Sequence, residues 1–384
     1  MRVLVVAIGP LAASGYATRI NSMLAAYSER GWMVDLLHLA QRDENDVSSD
    51  LLANLAAYIP VTLAPPRWTD HLSLLPPAAA RVVSARASNS LRASYDLAQA
   101  ESGAAWALVR HTTAAKRLTV LHDDDAARLR RLARGAGNPI RKAARIATSI
   151  KYARLQRSLV RDADRTWFVS AVERDRVDPN HTNSLLVPNG AESGFFRTNA
   201  SPVTEPVTMF VGPAAYDANR QAVEYYVGSI FPLIRDAVPN AQLWLVGRGW
   251  SDLARREAGV VDRGFVAELP QELTRAAVVV APLLAGSGTK IKVIEAMASA
   301  RPVVASTVAA EAIAPSTGLR VHDDPRSFAT AVAALLQDTN ARRADGEANR
   351  LAVSSLEWSS IWARAIADIA RLVTASRDSA TLDQ

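Results

Sequence analysis

Pro282–Thr307, PLLAGSGTKIKVIEAMASARPVVAST, carries more structural instruction than any other stretch of this 384-residue chain. It begins within an apolar run, Ala276–Leu284, and passes through Gly286-Ser287-Gly288-Thr289-Lys290 into apolar residues at helical spacing. Arg301-Pro302 stops that helix, and Val303-Val304-Ala305 reads as a strand. In the order strand, Gly-rich turn, helix, strand, the turn amides and the helix N-terminus point at one place, which suits a phosphate or diphosphate. Lys290 can add a mobile positive charge there. Glu295 lies beside Ile291, Ile294 and Ala298 at the edge of the apolar face, where a carboxylate needs partners. Two vicinal hydroxyls of a ribose would serve, and so would water, Lys292 or a nearby arginine.

The length predicts two domains. Hydrophobic content of 49% and charged content of 21% describe a globular protein, not a disordered one. Cysteine is absent, which excludes disulfide and thiol chemistry, and the six histidines form no cluster with metal-ligand spacing. No metal site is expected. Met1–Ile8 is too short for a signal-peptide core and no apolar run approaches a membrane span, so a cytoplasmic protein is expected.

The formal charge of +6 is unevenly placed, because 126–161 holds 11 Arg and Lys and no Asp or Glu. Ile146, Ile150 and Ala153 give part of this stretch an apolar side. It can be a solvated face, or a basic amphipathic surface that meets an anionic membrane. No aromatic interleaving or binding module supports nucleic acid as the partner.

In the first half, Arg2–Ile8 reads as a buried strand, about Ala17–Arg30 as a helix and Val34–Leu37 as the next strand. Gly9 and Gly15 lack the dinucleotide-fingerprint spacing. From Asp43 to Ser102 the composition predicts helix broken by prolines. Trp106–Val109 and Leu118–Leu121 read as strands. His122-Asp123-Asp124-Asp125 follows the second of these, where the loops of a parallel sheet form a ligand crevice. The aspartates can cap a helix starting near Ala126 or bind Mg²⁺. His122 can reach a ligand or serve as a hydrogen-bonded structural residue. Arg165–Ser170 reads as a strand and Leu185–Gly190 as the last strand with its exit turn.

In the second half, Val207–Val211 opens a second nucleotide-fold sheet. A helix follows over about Asn219–Ala237, then the strand Gln242–Val246, the turn Gly247-Arg248-Gly249, and the segment Gly264-Phe265-Val266. Phe265 reads as a core residue. The expected organisation is 1–190 as a first Rossmann-like domain, 191–206 as a linker, 207–355 as a second Rossmann-like domain, and 356–375 as a closing helix.

GSGTKIKVIEAMASARPVVAS resembles the donor-binding segment of family 4 glycosyltransferases. The likeness extends through Phe210-Val211-Gly212, Asn219, Leu243–Gly249 and Gly264–Val266, about half the chain. The resemblance implies the GT-B fold, an α/β architecture of two Rossmann-like domains facing a cleft. It implies a retaining transferase that moves a sugar from a nucleotide diphosphate sugar to an acceptor hydroxyl, without a metal or other cofactor. By the same resemblance, Gly286, Ser287, Gly288, Thr289, Lys290 and Ile291 hold the diphosphate and part of the sugar, and Glu295 holds the ribose. Phe265 and Val266 lie near the base, and Arg248 is a further donor-binding candidate. His122, with Lys290, attends the reacting centre, while Gly15, Arg19 and Arg220 are further cleft candidates. The closing helix crosses back to the first domain.

Two departures from the family pattern stand out. Ser287 occupies the place of an earlier glutamate, and the Arg/Lys pair expected after Gly212 is replaced by Pro213-Ala214-Ala215-Tyr216, with Arg220 beyond. A non-catalytic relative that binds a partner transferase, or a nucleotide-sugar epimerase on the same fold, is therefore the alternative. The resemblance leaves the base, the sugar, the acceptor and the oligomeric state open.

Overall fold

The computed structural model describes residues 1–11, 15–41, 47–67, 69–70, 73–84, 91–134, 138–199, 203–285 and 288–382. The chain divides into two units, 1–188 with 362–384, and 189–361.

The first unit is built on seven parallel strands: β1 Arg2–Ile8, β2 Met33–Ala40, β3 Ala57–Thr62, β4 Tyr95–Ala100, β5 Ala114–Leu121, β6 Arg165–Phe168 and β7 Ser184–Leu186, in the order β3-β2-β1-β4-β5-β6-β7. Val3, Leu4, Val5, Val6 and Ala7 of β1 are all fully buried. A strand covered on both faces needs such a continuous apolar run. The order reverses between β1 and β4, the position at which parallel sheets of this kind take their ligands.

The second unit has six parallel strands: β8 Val207–Val211, β9 Gln242–Val246, β10 Val260–Gly264, β11 Val278–Ala281, β12 Val303–Ala305 and β13 Leu319–Val321, ordered β10-β9-β8-β11-β12-β13. Its reversal falls between β8 and β11, the strand that leads into the Gly-rich turn. The helix over Asp217–Ala237 widens into a π turn at Tyr226–Ile230. Pro232 lacks an N–H and would crowd the carbonyl four residues back, which the wider turn relieves.

Three regions differ from the sequence expectation. Trp106–Val109 belongs to a helix, Gly103–Val109, capped by the Ser102 hydroxyl, which accepts from the Ala105 amide at 3.1 Å. Every residue of that helix is buried, so it lacks the polar face that separates helix from strand in a sequence. The stretch expected to be helical contains β3 and β4. Tyr95–Ala100, YDLAQA, is made of ordinary helix formers and becomes a strand because β1 and β5 pair with it on both sides. The expected linker 191–206 includes a helix, Ser193–Phe196, whose Phe195 is in the second unit's core. Ala191 is also tied into that unit, donating to Leu356 O at 2.9 Å and accepting from the Trp358 amide at 3.1 Å.

The last helix runs Trp358–Leu382. From Trp362 onward it is part of the first unit, where Trp362 packs on Trp167 with ring centroids 6.4 Å apart and donates to Ser22 Oγ at 3.0 Å.

Candidate active site

In the second unit the loops after β8, β9 and β10 are stitched together. The Gly212 amide donates to Val246 O at 2.8 Å, Gly247 to Gly264 O at 2.8 Å, and Ala214 to Arg248 O at 2.9 Å. The buried Trp250 donates its indole N–H to Gly212 O at 2.9 Å. Gly247 has φ +136°, and a Cβ there would lie 2.5 Å from Gly212 O. Only glycine lets these backbones approach so closely.

Onto this floor comes the helix Ile291–Ala298, anchored by buried Ile291, Val293, Ile294, Ala296, Met297 and Ala298. It ends through Ala300, held at φ +51°. Gly286 and Ser287 lie outside the described residues. Gly288 and Lys290 are joined by a hydrogen bond from Lys290 Nζ to Gly288 O at 2.5 Å. Thr289 O accepts from Asn189 Nδ2 at 3.3 Å, while the buried Thr289 hydroxyl has no hydrogen-bond partner among the described residues.

Lys292 and Glu295 are half-buried on this helix. Lys292 Nζ donates to Asn219 Oδ1 at 2.6 Å and lies 4.4 Å from the Phe210 ring centroid; Asn219 Nδ2 in turn donates to Pro213 O at 2.9 Å. Burial lowers the Lys292 pKa to about 7, with Lys290 adding to the shift and Glu295 opposing it. Burial likewise raises Glu295 to about 7, with Glu192 adding and Lys292 opposing. The sequence offers Lys292 only as a partner for Glu295. That its amine reaches the turn after β8 depends on which side of the helix packs, and that is set by the tertiary structure.

Phe265 is not a core residue. It is 64% exposed, and the Arg248 guanidinium lies 5.1 Å from its ring centroid. The turn at Gly264, φ +63°, carries Phe265 out, and the partly buried Val266 packs back against the core. Arg220 is exposed on the helix Asp217–Tyr225.

The first unit has its own polar cluster at the strand ends. His122 Nε2 is 3.0 Å from Glu101 Oε2, and Glu101, directly after β4, is fully buried. Glu101 Oε1 accepts from Gln99 Nε2, and Gln99 Oε1 accepts from the Tyr27 hydroxyl at 2.8 Å. The Tyr16 ring meets His122 edge-on at 5.2 Å. Burial holds the phenol pKa values of Tyr16 and Tyr27 well above their usual range, and the Glu101 charge raises them further. Arg19 is 1% exposed, donates to Pro188 O at 2.9 Å and lies 5.0 Å from the Trp362 ring centroid. Burial lowers its pKa to about 10. Gly15 is exposed at the start of the helix Gly15–Glu29. The sequence does not single out Glu101, which falls within the stretch Asp43–Ser102 expected to be helical, whereas in the structure it directly follows β4.

Of the three aspartates, Asp124 caps the helix Asp125–Arg134 by accepting from the Ala127 amide at 2.8 Å, and it pairs with Arg176 at 3.0 Å. Asp125 pairs with Arg128 at 2.8 Å. The basic stretch forms this helix and Pro139–Asp162, joined where Arg145 donates to Leu132 O at 2.7 Å. On one face of the longer helix Ile140, Ile146 and Ile150 are 78%, 41% and 48% exposed, followed by exposed Arg154, Arg157 and Arg161.

Residues 205–338 match the family described as Glycosyl transferases group 1. No curated protein sequence matches the chain. Among solved structures, HepE of Anabaena in complex with UDP and glucose aligns at TM-score 0.61 and 15% identity over 97% of this chain and 100% of that one. TarM of S. aureus, as a mutant in complex with Fondaparinux, α-GlcNAc-glycerol and UDP, aligns at 0.68 and 10% over 97% and 100%. A glycosyltransferase from Rickettsia africae aligns at 0.62 and 11% over 97% and 99%. The fold is therefore GT-B, with two Rossmann-like domains, and within the second unit residues 205–338 are similar to the group 1 glycosyl transferases.

Proposed function

We propose that the protein is a retaining glycosyltransferase, moving a hexose from a nucleotide diphosphate sugar to an acceptor hydroxyl. The observation that carries this is the set of groups gathered where the second sheet reverses: the Gly212 and Gly247 turns, the Thr289 hydroxyl with no hydrogen-bond partner among the described residues, two lysines and the half-buried Glu295. Glu295 takes the ribose hydroxyls, and Gly288–Ile291 the diphosphate. Phe265 with Arg248 offers an exposed stacking surface to the base. The UDP complexes of HepE and TarM favour UDP as the carrier.

In the reaction the anomeric carbon–oxygen bond breaks and its electron pair stays on the β-phosphate oxygen. The acceptor oxygen bonds to the anomeric carbon and its proton passes to the departing phosphate. Stabilising the charge that develops there is the main catalytic task. Within the first unit, His122, whose Nε2 is held by Glu101 Oε2 at 3.0 Å, is the candidate for meeting a sugar or acceptor hydroxyl. The reading requires no metal or cofactor, since Asp124 and Asp125 are already engaged by a helix amide and by arginines.

The acceptor is a lipid-linked or polysaccharide hydroxyl, presented at the inner membrane surface, which places the protein in the cytoplasm with a role in the cell envelope. The exposed isoleucines among cations on Pro139–Asp162 support this, because they combine apolar insertion with attraction to anionic headgroups. Among the described residues no helix is long and apolar enough to cross a membrane.

The direct test is thermal denaturation with UDP, GDP, ADP and dTDP and their sugar conjugates, in the parent and in Glu295→Ala. A ligand at 100 times its Kd adds about 2.7 kcal/mol. A shift with one base, lost in the variant, supports the donor site; no shift with any removes it. Proton NMR of the product anomer tests retention. Free or isomerised sugar without acceptor would favour the epimerase. Co-sedimentation with phosphatidylglycerol vesicles, reduced by I146D/I150D, tests the membrane face.

A further inference from the structure

We propose that Lys292 is the cation that meets the leaving diphosphate, so that the charge comes from the donor helix and not from the loop after β8. The inference rests on the donor-site reading above and assigns a residue within it.

The geometry is specific. A Cβ on Gly212 would lie 2.5 Å from Asn219 Nδ2 and 2.9 Å from Lys292 Nζ, so the amine and the carboxamide that holds it together fill the space a side chain there would need. Gly212 directly follows β8 beside the reversal of the sheet, where ligand phosphates approach parallel sheets. The amine rests on the Phe210 face and spends one of its three donors on Asn219 Oδ1. Among the described residues it forms no ion pair; the nearest carboxylate influence is Glu295, one turn along the same helix. Lys290, the other lysine of the segment, is folded onto Gly288 O. The loop after β8, Pro213-Ala214-Ala215-Tyr216, contains no cation, and Arg220 is turned out to solvent. Lys292 is thus a half-buried amine held at the phosphate end of the site without an anion, and the diphosphate supplies one.

This placement has a consequence for protons. With burial lowering its pKa to about 7, Lys292 is largely neutral above that pH. A diphosphate beside it favours the ammonium, so binding at pH 8 draws a proton from solution. The charged groups that act on Lys292 are Glu295 and Lys290, and Glu192 acts on Glu295 in turn. Phe210 of β8 and Asn219 of the helix Asp217–Tyr225 face it without titrating.

The test is calorimetric titration of the full chain with UDP, GDP, ADP and dTDP at pH 8, in two buffers of different ionisation enthalpy. For the nucleotide that binds, the parent should take up most of one proton per site. Lys292→Met should bind at least tenfold more weakly with no such uptake. Lys292→Arg, permanently charged, should retain affinity and also lose the uptake. Parent-like affinity in Lys292→Met, or uptake that persists in either variant, overturns the assignment of Lys292 while leaving the donor site standing. If no nucleotide binds the parent, the donor reading itself falls and the assignment with it. Should Lys292→Met not fold, the arginine variant and the parent's proton uptake still decide the matter.

Discussion

Gly247→Ala should damage the donor site from below without touching a ligand. The native φ of +136° is one that L side chains rarely adopt, and backbone strain of that kind costs about 1–3 kcal/mol. The added methyl would also lie 2.5 Å from Gly212 O, 2.6 Å from Gly212 C and 2.9 Å from Pro213 N. All three are backbone atoms, so no rotamer change relieves the contact, and overpacking adds about 1–3 kcal/mol. Together these predict a loss of about 2–6 kcal/mol, read as a fall in the urea midpoint at unchanged m. The protein can reduce the cost by moving the loop after β8, and that loop carries the Gly212 carbonyl held by Trp250 and lies against Lys292. Nucleotide affinity should therefore fall together with stability. A variant within 0.5 kcal/mol of the parent and with the parent's affinity would refute the view that these two turns are in obligatory contact.

Other outcomes follow from the same geometry. Phe265→Ala should leave stability within about 0.5 kcal/mol, because the ring is exposed, yet weaken nucleotide binding by about 1–3 kcal/mol if it stacks on the base; calorimetry separates the two. Asp124→Ala should lower stability by about 0.5–2 kcal/mol through loss of the cap and leave nucleotide binding the same with or without Mg²⁺. Stability against pH should show a dip near neutrality from the half-buried pair Lys292 and Glu295. Glu295 binds a proton more tightly in the folded protein, so its contribution is present below its ordinary pKa and lost as pH rises to about 7. Lys292 binds its proton less tightly when folded, so above about 7 stability recovers as pH approaches the ordinary lysine value. The double variant Glu295→Gln, Lys292→Met should flatten that dip in chemical denaturation series.

The parts of the fold that sequence reveals are those whose local pattern and final environment agree. RVLVVAI is a central strand in any reading, and Val303–Ala305 after Arg301-Pro302 is similarly constrained. Gly103–Val109 is illegible because burial on all sides removes its helical periodicity, and Tyr95–Ala100 because its pairing with β1 and β5 overrides local preference. At the site, the Gly-rich turn and Glu295 are visible from spacing along one helix. Lys292, Glu101 and the exposed Phe265 are not, since each depends on a partner more than ten residues away: Asn219, His122 and Arg248.

The first unit is assembled from both ends of the chain, with all of 189–361 inserted between them. The late helix brings Trp362 to Trp167 and Ser22, and Asp368 to Arg165 at 3.1 Å. During synthesis those residues emerge after every strand of both sheets. The inserted unit, closed within its own contiguous stretch, can reach its final form on the ribosome, whereas the unit that began first must wait for its last piece. Until then the surface around Trp167 and Trp362's future seat stands bare, so premature termination before Trp362 should yield a sound second unit attached to an aggregation-prone first one.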